Sequence, residues 1–168
     1  GGVSADALGA LLSWMQDRKA DVFVVAPANE VRSLPPELCR KGRFDELFFV
    51  DLPTASERAA VLLAALVAHG RPDWADADLS RVAAAMTDFT GAEVAATVPE
   101  ALFAAFADGE RGLTVDDLLV AARATTPLAK TASEKVEQLR QWARGRCRPA
   151  SLETNTNAVA AGGRELDV

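Results

Sequence analysis

The sequence predicts an α/β segment followed by an all-α unit, and three observations point there. Two short runs, Val22-Phe23-Val24-Val25-Ala26 and Leu47-Phe48-Phe49-Val50, are apolar at every position, rich in β-branched and aromatic residues, and followed by Pro27 and Pro53. Such runs suit strands buried on both faces of a parallel sheet. From Thr54 onward the apolar residues switch to helical spacing and the chain becomes alanine-rich. Between the runs lies LPPELCRKGRFD, whose prolines permit only a short helical turn and whose Gly42 punctuates a charged loop. Sheets with both faces covered rarely consist of two strands, so residues 1–53 are expected to be part of a larger sheet. The chain opens at Gly1 without an initiator methionine and meets its first element almost at once. It is therefore expected to be a fragment or a natural truncation of a longer protein.

Taken in order, Ser4 can cap a helix running to about Arg18, with Leu8, Leu11, Leu12 and Met15 on one face. The two strands and their connection follow. Thr54 with Glu57 three residues on forms a capping box, and Val61, Leu62, Leu63, Leu66 and Val67 carry the helix to about His69, where Gly70 stops it. After a loop holding Pro72, helical patterns cover residues 78–86, 91–107, 114–124 and 131–146. Thr114 with Asp117, and Thr131 with Glu134, repeat the cap spacing. Pro99 falls inside one pattern, where it removes a backbone hydrogen bond at a cost of roughly 3 kcal/mol, so a break or kink before it is expected. The division that follows is residues 1–53 as the α/β part, 54–148 as the helical part, and 149–168 as a tail without apolar period, expected to be disordered.

Composition bounds the function. The 168 residues are 49% hydrophobic, normal for a buried core, and carry a net charge of −6. A surface of that sign repels phosphate backbones and anionic lipid, which argues against nucleic acid or membrane as partner. The run over residues 59–68 falls well short of the roughly 18 apolar residues that cross a bilayer, and no charged-then-apolar leader opens the sequence. Cys39 and Cys147 lack CxxC spacing and His69 is the single histidine, so no metal site is expected and a reducing, cytoplasmic setting is the default. No GxxxxGK[ST] phosphate loop occurs; GAEVAATV at Gly91 has neither the lysine nor a preceding strand.

The segment VFVVAPANEVRSLPPELCRKGRFDELFFVDLP, from Val22 to Pro53, closely resembles the second half of the ATPase core of AAA proteins in the AAA+ superfamily. The parts occur in the family's order: a strand leading to an asparagine, a proline-containing turn, an arginine pair in an RxGRFD context, and a last strand leading to a helical lid. Phe89-Thr90-Gly91-Ala92-Glu93 is similar to the start of the third lid helix. The likeness covers roughly Val3 to Arg148 and is strongest to small bacterial and plastid AAA proteins of poorly defined substrate. It implies the last two strands of a P-loop NTPase parallel sheet plus an AAA+ helical lid. It also implies a cytoplasmic or plastid-stromal setting.

By this resemblance Asn29 is sensor 1, where a side-chain amide can orient a water or contact a γ-phosphate. Read from residues alone, Asn29 is a turn asparagine, and Pro27 departs from the small hydroxyl residue the family often has there. Arg40 and Arg43 would be arginine fingers acting on the next protomer's ATP, because a planar guanidinium stabilises charge spread over a transferring phosphoryl group. The plain alternative is a pair of solvated loop arginines. Gly91 and Ala92 would let the backbone approach the adenosine end of ATP, or simply begin a helix. Glu93 suits the helix dipole. Arg140, Arg144, Arg146 and Arg148 make a basic strip around Trp142 that could touch an acidic partner or nucleic acid, or could be solvated or packed on the helical part.

The resemblance thus implies the C-terminal portion of an AAA ATPase module that hydrolyses ATP with Mg2+ to remodel a macromolecule, working beside neighbouring protomers in a homo-hexameric ring. The chain alone, without a phosphate loop, is expected to bind no nucleotide. The alternative is a non-catalytic truncated module that docks on a complete AAA ring.

Overall fold

The structure, a computed structural model, describes residues 5–17, 21–31 and 44–151. Along them run α1 (Ala5–Asp17), β1 (Phe48–Phe49), α2 (Ala55–Ala68), α3 (Asp76–Ala85), α4 (Gly91–Ala107), α5 (Val115–Ala124), α6 (Leu128–Thr131), α7 (Ser133–Ala143) and β2 (Arg148–Pro149).

Three helices begin on reciprocal caps. The Thr54 hydroxyl accepts the Glu57 N–H at 3.3 Å while the Glu57 carboxylate accepts the Thr54 N–H at 2.8 Å. Thr90 with Glu93, and Thr114 with Asp117, repeat the arrangement at α4 and α5. Each box satisfies amides that a helix start would leave without partners. At the far end of α2 the His69 N–H reaches Ala65 O and Leu66 O, and the chain turns through Gly70 at φ 71°. That left-handed conformation strains any side chain with a Cβ.

Helices α2 to α5 close one core. Leu62 and Leu66 of α2 meet Val82 and, just beyond α3, Met86 and Phe89; Val94 and Val98 of α4 and Leu118 of α5 complete it, all buried. Fully burying a side chain of this size contributes about 1.5–3 kcal/mol, so this cluster dominates the fold's stability. Trp74 packs against its margin. Arg58 is buried beside the core, with Nε donating to Ala83 O at 3.0 Å and Nη1 to Pro53 O at 2.8 Å.

Several sequence expectations are corrected. Residues 22–26 form no strand: Phe23 is 92% and Val25 77% exposed. A strand apolar on both faces depends on neighbours along both edges, and the sheet among the described residues is a different pair. β1 pairs in parallel with β2, Phe48 opposite Arg148 and Phe49 opposite Pro149. The strand expected at residues 47–50 is thus present in its middle, but its partner comes from the far end of the chain. α4 runs through Pro99 without a break. Pro99 lies on the exposed side, opposite buried Val94, Thr97, Val98 and Ala101, where water can serve the carbonyl that the proline leaves free. Thr131 caps nothing: its hydroxyl donates to Leu128 O within α6, and α7 starts at Ser133, after Ala132, without a side-chain cap. Ser4, Cys39 and residues 152–168 lie outside the described residues. In α1, Met15 is buried while Leu11 and Trp14 remain exposed.

Candidate functional site

Asn29 stands exposed at a bend that follows residues 21–28, which carry no regular secondary structure. The next residues, Glu30 and Val31, form one wall of a groove of about 550 Å³, whose other wall is Thr131, Glu134, Gln138, Leu139 and Trp142 of α6 and α7. An amide that is exposed, rather than tied into a turn by its own side chain, is free to meet a ligand. Arg40 and Arg43 lie outside the described residues.

Gly91 and Ala92 open α4, with Thr90 as cap and Glu93 completing the box. A Cβ placed on Gly91 would meet no atom within 4 Å, and its φ is not in the left-handed region. Neither packing nor backbone conformation therefore demands glycine at this position.

Glu93 does more than the sequence signalled. Its Oε2 accepts the Thr90 N–H at 2.7 Å and the Thr90 hydroxyl at 2.9 Å, while Oε1 accepts the Leu128 N–H at 2.7 Å. One carboxylate therefore starts α4 and holds the first turn of α6. Burial works against its ionisation, but the hydrogen bonds from Thr90 and Leu128 outweigh it and hold the carboxyl below its ordinary pKa. Thr90 three residues before Glu93 was the available signal; the Leu128 contact spans 35 positions and leaves no local pattern.

The arginine strip is not a free basic patch. Arg140 forks onto Asp51, Nε to Oδ1 at 3.0 Å and to Oδ2 at 2.9 Å, and Nη2 to Oδ1 at 2.9 Å. Arg144 lies 3.7 Å from Glu137, and Arg148 3.2 Å from Glu46. Arg146 covers the Trp142 ring at 5.9 Å and donates to Trp142 O. Each of the four arginines thus has a partner within the chain. The hydrogen bond from Arg140 to Asp51 keeps the guanidinium firmly protonated despite partial burial, and Asp88 adds its charge there and at Arg58.

A second groove, of about 440 Å³, lies between the end of α2 and the middle of α4, lined by His69, Pro99, Leu102, Phe103 and Phe106. Among the described residues no group of three or more His, Cys, Asp or Glu could hold a metal ion, and no helix is long and apolar enough to cross a membrane.

Comparison with known proteins completes the picture. Residues 1–52 match the model of the ATPase family associated with various cellular activities, AAA. The "Uncharacterized AAA domain-containing protein ycf46" of Pyropia yezoensis is 41% identical over 152 residues, 90% of this chain and 31% of that protein. Its counterpart from Guillardia theta is 38% identical over 151 residues, 89% of this chain and 30% of that protein. The ATP-dependent zinc metalloprotease FtsH 2 of Sphaerobacter thermophilus is 39% identical over 105 residues, 62% of this chain and 16% of that protein. The chain thus spans less than a third of the length of each of these relatives. The likeness to ycf46 runs well past residue 52 and takes in most of the helices that close the core, so the strand-and-loop segment and the helical bundle are matched together, and the chain belongs to the AAA family of ATPases.

Proposed function

We propose that this chain is the C-terminal portion of an AAA ATPase module, in which Asn29 serves as sensor 1, Arg40 and Arg43 as arginine fingers, and helices α2 to α7 as the lid. The carrying observation is the match to proteins named as AAA domain-containing over 89–90% of the chain, across both the α/β segment and the bundle. The division into core residues 1–53 and lid residues 54–148 is part of this reading, as is a ring of like protomers working on a macromolecular substrate.

The family's nucleotide, ATP with Mg2+, fits these residues only at its edges. An exposed amide at Asn29 suits the terminal phosphate, and the open space over Gly91 suits close approach of a ligand to backbone. A triphosphate also needs a cradle of backbone amides with a lysine, and no GxxxxGK[ST] occurs in the 168 residues. The cradle belongs to the rest of the module, and calorimetry of this chain with Mg-ATP should give no binding; micromolar affinity with turnover would defeat that expectation.

The test of the reading uses the complete protein. Arg40→Ala and Arg43→Ala should each lower turnover about 10³-fold or more, with nucleotide binding nearly unchanged, because a finger from the neighbour acts on the transition state. Rings mixed from wild-type and variant protomers should show the defect in trans. Asn29→Ala should lower turnover by a similar route without the trans effect. Wild-type turnover in all three would return these residues to solvated loop positions.

A further inference from the structure

The segment from Arg140 to Ser151 is fastened to residues 46–57 rather than to the bundle core. Arg140 forks onto Asp51. Beyond α7 the chain reverses through Gly145, at φ 70°, with the Arg146 and Cys147 amides both turned onto Ala143 O. β2 then lies along β1, with Arg148 N–H donating to Leu47 O at 2.8 Å, Ala150 N–H to Phe49 O at 2.9 Å, and the Arg148 guanidinium 3.2 Å from Glu46. Finally Ser151 comes near enough to Glu57, in the first turn of α2, to help hold its carboxyl below the ordinary range. Asp51 to Pro53 is the short covalent join between β1 and α2, and these attachments bracket it on both sides.

We propose that residues 140–151 form a strap across this join, which fixes the angle of the helical bundle against β1 and is held shut by the Arg140–Asp51 fork. A parallel ladder of two residues, one of them a proline that cannot donate, is too short to persist alone. The bidentate, charge-assisted pair supplies the missing hold, and the left-handed turn at Gly145 aims β2 at its partner. The strap stands on this geometry and not on the roles assigned to Asn29, Arg40 or Arg43, so either can fail without the other.

Amide hydrogen exchange on the 168-residue chain tests it. Arg140→Ala should speed exchange of the Arg148 and Ala150 amides by roughly tenfold or more, with Leu62, Val82, Val94 and Leu118 unchanged. Asp51→Asn should do the same, and the swapped pair Asp51→Arg with Arg140→Asp should restore most of the protection. Gly145→Val, which touches neither partner of the fork but strains the turn, should also release both amides, and it decides the matter if Arg140→Ala fails to fold. Unchanged exchange at Arg148 and Ala150 in Asp51→Asn and Gly145→Val overturns the proposal. So does an equal loss of protection at Leu62 and Leu118, which would make Arg140 a support of the bundle as a whole.

Discussion

Arg58 joins two stretches of backbone that no apolar contact could join. Its side chain runs buried from α2 to Ala83 O at the end of α3 and to Pro53 O at the join. Burial lowers its pKa and Asp88 partly restores it, so it stays charged at neutral pH and its charge is met by carbonyl dipoles and one carboxylate. Arg58→Met keeps the packed stem but leaves Pro53 O without its donor, while Ala83 O retains the Met86 amide. A loss of about 2 kcal/mol is expected, read as a lower urea midpoint at unchanged slope. Wild-type stability would mean that water replaces the guanidinium. Nothing in the sequence marked Arg58 out, because an arginine in the first turn of a helix normally faces solvent. By contrast Leu62 and Leu66 were legible from their spacing alone. Of the residues singled out for chemistry, Asn29, Gly91 and Ala92 are described and exposed or half-buried; their proposed ligand would come from outside the chain, so their environment here cannot be read from local pattern.

At the scale of elements, what was legible is what is decided locally. The boundaries of α4 and the boxes at Thr54 and Thr114 follow from residues three or four apart. β2 was not legible, since a two-residue strand containing proline carries no period, and residues 22–26 were misread because apolar composition cannot say which neighbours will cover it. Pro99 marks the limit of propensity: α4 tolerates it on its exposed side, so Pro99→Ala should restore a hydrogen bond to Ala95 and raise stability by about 1–3 kcal/mol. An unchanged or lower thermal midpoint would show that the proline is needed for the groove it lines with Phe103 and Phe106. The caps also set the acid response. Glu57, Glu93 and Asp117 all titrate below their ordinary values, Glu57 chiefly through the Thr54 amide and Asp117 chiefly through Arg111. A carboxyl with a depressed folded pKa contributes stability above its unfolded value of about 4 and loses it as pH falls through the folded one. Stability should therefore decline below about pH 4. Glu93→Gln should cost about 1 kcal/mol at neutral pH, a difference that shrinks as pH falls below the ordinary carboxylate range of about 4 and Glu93 itself protonates. A difference that stays constant with pH would assign the effect to shape rather than charge.

For the whole molecule the question is which part folds without the other. The bundle closes its core with contacts among α2, α3, α4 and α5, joined by short connections, and such local topology folds quickly and alone. Among the described residues before Thr54 there is no comparable core: Phe23, Val25, Phe48 and Val50 are 92%, 77%, 61% and 79% exposed, and strand-forming segments with bare apolar faces invite pairing with other chains. A chain beginning at Thr54 should therefore be a helical monomer with the exchange protection of Leu62, Val82, Val94 and Leu118 intact. It should also be slightly less stable, because Arg58 loses Pro53 O, and its last residues should loosen, because Arg140 loses Asp51 and β2 loses β1. The 168-residue chain, by contrast, should self-associate with rising concentration, or show weak protection over residues 22–31. Sedimentation of both chains together with hydrogen exchange separates the possibilities. Strong protection of residues 22–26 in a concentration-independent monomer would show that this segment finds cover within the chain, and the inference that it awaits the rest of a larger sheet would lose its physical support.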